Sequence, residues 1–346
     1  VTVTCARVAV GLALLIVPSS QSAADPIEDF YKGKTINMIV SAGEGGGFSL
    51  YAHAFARYLT KHIPGNPRLI VQNMPGAGGI RAMSYLVSVA PKDGTTIGLV
   101  HARLQFAPLF GLKDATFDPR EMNWLGAMSR AASVCLSWHT SNVKTARDLF
   151  EKEFVVGGTG AGSGMEMVPA LLNKLLDTKF KIISGYKAGH EVYLAMERGE
   201  VQGRCGGSLS QMKSIRPEWF PQNKVTVPVQ LALERSPALP DVPAITEFVK
   251  DVRTKQILQI VLAANEMERP IVTPPGVPAD RVAALRIAFG KAIKDPEFLA
   301  DAEKQGLEID EVSGAEVQEL IRSTFDLPAD VIKAAGEAAA GIGGSE

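Results

Sequence analysis

Three stretches of this chain place glycine where a backbone can do chemistry. The first is Ser41-Ala42-Gly43-Glu44-Gly45-Gly46-Gly47-Phe48-Ser49, the second Met74-Pro75-Gly76-Ala77-Gly78-Gly79, and the third runs from Gly157 through Thr159, Gly162 and Ser163 to Gly164. Each follows a short β-rich run and precedes a helical pattern. Glycine lets a ligand approach the main chain, and the first amides of a helix point outward without partners. Their partial positive charge suits an anion and requires no lysine.

The spacing excludes familiar nucleotide chemistry. The sixth residue counted from Gly43, Gly76 or Gly158 is Phe48, Arg81 or Ser163, so none completes the G-x-G-x-x-G fingerprint, and no G-K-[ST] phosphate loop is present. Ser163 lies between Ala161 and Met165 at two residues' distance and is not in a nucleophile elbow. His190-Glu191-Val192-Tyr193-Leu194 lacks the second histidine of a zinc helix, and the five histidines show no ligand spacing. Each histidine reads as a surface or core residue. The expectation is a binding protein with no cofactor and no metal, and not an enzyme.

The elements that must hold these turns alternate. Thr35–Val40, Arg68–Asn73 and Thr95–Val100 read as strands. The stripes Tyr51, Ala54, Phe55, Tyr58, Leu59 and Ile80, Met83, Leu86, Val87, Ala90 have the spacing of half-buried helices. A second set begins after Met122–Ala127, with strands at Ser133–Trp138, Phe154–Val156, Lys181–Tyr186 and Val201–Cys205. Such alternation predicts α/β architecture with parallel sheets, in which ligands bind at the carboxyl ends of strands. The proline-punctuated run from Pro217 to Pro228 reads as a return to the first unit, and the Ala- and Gly-rich tail after Lys333 as frayed.

At 346 residues, 46% hydrophobic and 21% charged, the chain can bury a real core. Its net charge of −1 with interspersed signs excludes the basic stripe of a nucleic-acid binder. Near the start, Arg7 precedes an apolar run from Val8 to Val17, and Ser22 and Ala24 supply the small residues of a cleavage site. Residues 1–24 therefore read as a secretory signal, the run falling well short of the ~20 residues that span a bilayer. Cys135 and Cys205 would remain in the mature chain; two buried thiols is the simpler expectation, and an oxidising compartment leaves pairing open.

The ordered series GKTINMIVSAGEGGG, VQNMPGAGGIRAMSYL, APKDGTTIGLV, GGTGAGSG, GYKAGHEVYLAMERGEVQG and RSPALPDVPAITEF resembles the extracytoplasmic solute receptors of tripartite tricarboxylate transporters, the Bug-type receptors. The resemblance covers residues 25–335. It implies a type II periplasmic-binding-protein fold of two α/β lobes with a ligand cleft between them, lobe one being 25–127 plus 227–346 and lobe two 128–226. It implies a periplasmic, monomeric receptor that delivers a small carboxylate to membrane permease subunits; a sensor of the same fold signalling to a membrane kinase is the alternative. The first two turns would hold one carboxylate and the third would close over the other end of the ligand.

Carried over, the expected ligand contacts are Ser41, Gly45, Gly46, Gly47, Phe48 and Ser49 in turn one, Pro75, Gly76, Ala77 and Gly78 in turn two, and Thr159, Gly162 and Ser163 in turn three. Phe48 and Ser49 stand where the family often has Thr-Asp, which suggests an apolar or aromatic ligand moiety. Ser49 serves equally as a helix N-cap. Glu44 would repel a carboxylate and reads as a solvated loop-tip charge. Tyr186 and Arg204 complete the expected set, Arg204 as a guanidinium fork for a carboxylate or as a salt-bridge partner. Arg103 has the same ambiguity, and Lys187 reads as solvated.

Overall fold

The computed structural model describes residues 1–2, 26–45, 47–110, 115–130, 133–159, 163–186 and 189–340. Gly46, Gly162, Lys187 and nearly all of the expected leader lie outside the described residues.

The strands in chain order are β1 (Thr35–Val40), β2 (Arg68–Asn73), β3 (Thr96–Leu99), β4 (Asn123–Ser129), β5 (Ser133–Trp138) and β6 (Phe154–Gly157). They continue as β7 (Phe180–Ile183), β8 (Gly203–Ser208), β9 (Val225–Thr226), β10 (Glu268–Thr273) and β11 (Val312–Ser313). The helices are α1 (Pro26–Tyr31), α2 (Gly47–His62), α3 (Ile80–Ser88), α4 (Asp148–Glu151), α5 (Gly164–Leu176) and α6 (Gly189–Arg198). They end with α7 (Leu209–Ile215), α8 (Val252–Leu262), α9 (Ala279–Ala292), α10 (Pro296–Lys304), α11 (Gly314–Phe325) and α12 (Ala329–Ala340).

These form two sheets, in the orders β11-β4-β10-β3-β1-β2 and β7-β6-β8-β5-β9. In the first, β1 runs parallel to β2 and β3 while β10 is antiparallel to both neighbours. In the second, β6 is parallel to β7 and β8, and β5 is antiparallel to β8. Each sheet thus has three parallel strands followed by an antiparallel one, the same plan twice. This is the two-lobe α/β fold that the resemblance implies.

Both sheets are covered on both faces, so the inner strands β3, β4 and β5 are almost continuously buried, while the edge strands β2 and β7 are partly exposed. Tyr31, Phe55, Leu285, Phe289 and Phe298 fill one side of the first sheet, and Met83, Phe106, Trp124, Val317 and Ile321 the other. Phe55 meets Phe289 and Phe298 edge-on at centroid distances of 5.4 and 5.2 Å. Burying each such ring contributes roughly 2–3 kcal/mol.

Three expectations are corrected. The second crossing lies later than the proline run at 217–228. Gln230 bridges Val134 and Ala244, and Val229, Leu231, Ile245, Leu258 and Leu262 pack into the core of the second sheet, so the chain returns to the first sheet only at β10. The tail is not frayed at Lys333: α12 continues to Ala340, with Val331 and Ala335 buried against Ile257 and Ile260 of α8. Cys135 and Cys205, opposite each other on β5 and β8, form a disulfide.

Candidate functional site

Two cavities of about 500 and 580 Å³ open between the sheets, and Arg103 and Glu268 line both. The smaller is walled by Gly47 and Tyr51 of α2, Ser129 and Ser133 at the first crossing, Gly207 and Ser208 of β8, and Arg269. The larger has Phe48, Ala77, Gly78 and His101 on one side and Met167, Ile260 and Val261 on the other.

The first turn ends earlier than its serine suggested. Helix α2 begins at Gly47, so Ser49 is its third residue and cannot be its N-cap. Ser49 is buried, and its hydroxyl donates to Asn73 Oδ1 at 3.4 Å, while Asn73 Nδ2 donates to the Ala42 carbonyl at 2.8 Å. That chain ties the first turn to the end of β2, and Ser49 lines neither cavity. Gly47 and Phe48 do face the cavities, whereas Gly45 stands at the exposed tip.

Ser41 is held in the same way. It is 2% exposed, and its Oγ accepts the His101 amide at 3.0 Å and lies 2.8 Å from His101 Nδ1. The Ser41 hydroxyl is thus bonded to both the main chain and the ring of His101. Burial pushes the His101 pKa down, and the ring forms part of the cavity wall. Phe48 lies against this ring at 4.2 Å between centroids. The histidine had no sequence signal beyond its position just past β3; Ser41 orients it.

The second turn is built on unusual backbone. Gly76, Ala77, Gly78 and Gly79 all have positive φ, at 137°, 46°, 62° and 102°. A side chain at Gly79 would put its Cβ 2.9 Å from Leu104 Cδ1, 3.1 Å from Ser41 Cβ and 3.2 Å from His101 Nδ1. Only glycine lets this turn close on the Ser41–His101 pair. Ala77 and Gly78 consequently line the larger cavity; Pro75 and Gly76 are exposed beside them without lining it.

Of the expected contacts in the third turn, Thr159 and Ser163 lie among the described residues. Thr159 and Ser163 are half-buried and line neither cavity, and Ser163 precedes α5 with its Oγ buried and unbonded among the described residues. The contact across the cleft is made instead by Arg103. Its Nη2 would lie 2.9 Å from a Cβ on Gly164, so the guanidinium of the first lobe rests on the first residue of α5 in the second. Arg103 has no hydrogen bond or ion pair among the described residues and is exposed to the cleft.

Tyr186 and Arg204 are placed elsewhere. The Tyr186 ring packs by Gly157 and Val192, and burial, with the nearby Glu200 carboxylate, pushes its pKa up. Arg204 is 4% exposed and lines neither cavity. Its Nη2 donates to the Gly206 carbonyl at 3.0 Å and Nη1 to the Gly189 carbonyl at 3.4 Å, with the guanidinium 4.7 Å from the Tyr193 ring centroid. It therefore pins the start of α6 to β8, by neither of the expected routes.

Glu268 and Arg269 were not foreseen. Arg269 has φ of 55°, lays its guanidinium 3.9 Å from the Tyr51 ring centroid, and donates from Nη1 to Ser129 Oγ at 3.1 Å. Glu268 Oε2 is 3.9 Å from Arg269 Nη1. Burial pushes the Glu268 carboxyl up, against the opposing pull of Arg269 and Arg103. Nearby Arg130 is occupied by Glu316 at 3.2 Å and Glu266 at 3.9 Å.

The site is thus a two-walled cleft with glycine turns on one wall and an uncommitted arginine reaching the other. The model of the tripartite tricarboxylate transporter family receptor matches residues 56–336. The chain belongs to this family. A protein in the tcbD–tcbE intergenic region of Pseudomonas sp. (strain P51), designated UPF0065, is 25% identical over 313 residues, covering 87% of this chain and 85% of its own. The crystal structure of a TctC solute-binding protein from Polaromonas superposes with a TM-score of 0.71 at 18% identity, over 88% of this chain and 99% of its own. An R. palustris protein solved with adipate, Rpa4515, gives 0.58 at 17% identity, over 88% and 97%. The family consists of periplasmic solute receptors, and no described helix of this member is long and apolar enough to cross a membrane.

Proposed function

We propose that this family receptor is exported, captures a small organic carboxylate with an apolar portion in the cleft, and delivers it to a tripartite tricarboxylate-type permease. The observation that carries the reading is Arg103. It stands between the lobes with no carboxylate of the protein bound to it among the described residues, against the amino end of α5. A ligand carboxylate there would accept from the guanidinium and neutralise it beside amides that also favour an anion. Phe48, Leu104, Phe106, Ile260 and Val261 supply apolar wall for the rest of the molecule, consistent with Phe48 replacing a polar residue of the first turn. The R. palustris neighbour with adipate supports the carboxylate class.

Screening the mature protein for thermal stabilisation against aliphatic and aromatic acids, nucleotides and neutral sugars tests this. A carboxylate at a hundred times its Kd adds about 2.7 kcal/mol to stability and raises Tm. Stabilisation by nucleotides or sugars alone would overturn the reading.

A further inference from the structure

The walls of the cleft carry more information than an anion site requires. Glu268 projects from the first residue of β10 into the partition shared by both cavities. Its carboxylate accepts no hydrogen bond among the described residues, and its side chain is 30% exposed. The neighbouring Arg269 is committed elsewhere, to Ser129 and to the face of Tyr51, and meets Glu268 only at 3.9 Å. Arg103 lines the same partition and attracts Glu268, with no hydrogen bond or close ion pair between them among the described residues.

Resting on the carboxylate reading above, we propose that Glu268 is a specificity-determining residue that accepts a hydrogen bond from an amine or hydroxyl of the ligand, so that this receptor takes amino- or hydroxy-monocarboxylates in preference to dicarboxylates. Charge supports this. Arg103, Arg269 and Glu268 meet at the partition, and Glu308 lines the smaller cavity close enough to act on Glu268, so the lining already carries two carboxylates of its own. A second ligand carboxylate would face Glu268 as a like charge in a partly dehydrated cleft, which costs affinity. An N–H or O–H at that place gains a charge-assisted hydrogen bond instead. The position also compensates for the first turn, where the side chains of Phe48 and Ser49 offer no acceptor to the cavity: Phe48 has none, and Ser49 is buried and lines neither cavity.

Calorimetry on the full mature protein tests the proposal with two matched series. One comprises valerate, its α- and ω-amino and hydroxy derivatives, and glutarate; the other comprises phenylpropionate, phenylalanine, phenyllactate and benzylmalonate. In at least one series an amine or hydroxyl acid binds roughly tenfold or more tightly than its dicarboxylate counterpart. In Glu268→Gln the dicarboxylate gains and the amine loses, so that the gap closes, while the hydroxyl acid changes least because glutamine still accepts. Equal or tighter binding of the dicarboxylates, or a ranking unchanged in Glu268→Gln, overturns the role of Glu268 and leaves the carboxylate reading standing. Binding of no acid in either series overturns both.

Discussion

Single residues divide the cleft into those that face ligand and those that aim them. Ser41, expected to touch ligand, holds His101, and Ser49 holds Asn73. Ser41→Ala removes the acceptor of the His101 amide and the partner of Nδ1, costing about 1–2 kcal/mol of stability and weakening carboxylate binding through a misaimed ring. Retained affinity at full occupancy of folded protein would contradict the orienting role. Gly79→Ala combines a φ of 102° with a Cβ 2.9 Å from Leu104, so a loss of about 1–3 kcal/mol is expected in denaturant unfolding. A neutral result would show that the second turn has room to shift. His101 was illegible in the sequence because one histidine after a strand carries no spacing. Ser41 misled because a serine opening a glycine turn offers a hydroxyl whichever way it points.

Whole elements were legible in proportion to how local their signals are. The glycine turns, the strands before them and the helices after them are read from runs of about fifteen residues. Strand β10 was missed, although it is central in its sheet, because Pro270 interrupts it and Arg269 adopts a positive φ. The missed strand brings Glu268 and Arg269 to the cleft, so losing the element meant losing two of the site's charges. Arg204 misled for a related reason. Its glycine-rich surroundings left little room for an ordinary surface residue and pointed it to the cleft, but the guanidinium finds the Gly206 and Gly189 carbonyls inside the lobe. The pairing of Cys135 with Cys205 depends on β5 and β8 being neighbours, which sequence spacing does not reveal. This bond spans 70 residues and staples the strand that carries Gly207 and Ser208 to the cleft. Replacing both cysteines by serine should cost about 2–4 kcal/mol, read as a lower denaturation midpoint; an unchanged midpoint would show that packing alone fixes the pair of strands.

For the molecule as a whole, the design is two sheets of the same plan set to share a ligand. The doubled βα pattern made the lobes visible in the sequence, while their boundaries depended on where long connections pack. Residues 229–262 stay with the second sheet through buried apolar contacts, and α12 meets α8 beside both lobes. Arg103 alone among the expected charged contacts crosses the space between them, with its root on the first lobe and its tip at Gly164. A carboxylate held there would draw the lobes together, and such closure is what a permease would recognise. The most direct measurement is calorimetry of Arg103→Ala with the acid that stabilises the parent protein best. Loss of at least about 2 kcal/mol, some thirtyfold in Kd, is the predicted result for a charge-assisted contact. Affinity within twofold of the parent, with the variant fully folded, would contradict the placement of the ligand's carboxylate at Arg103.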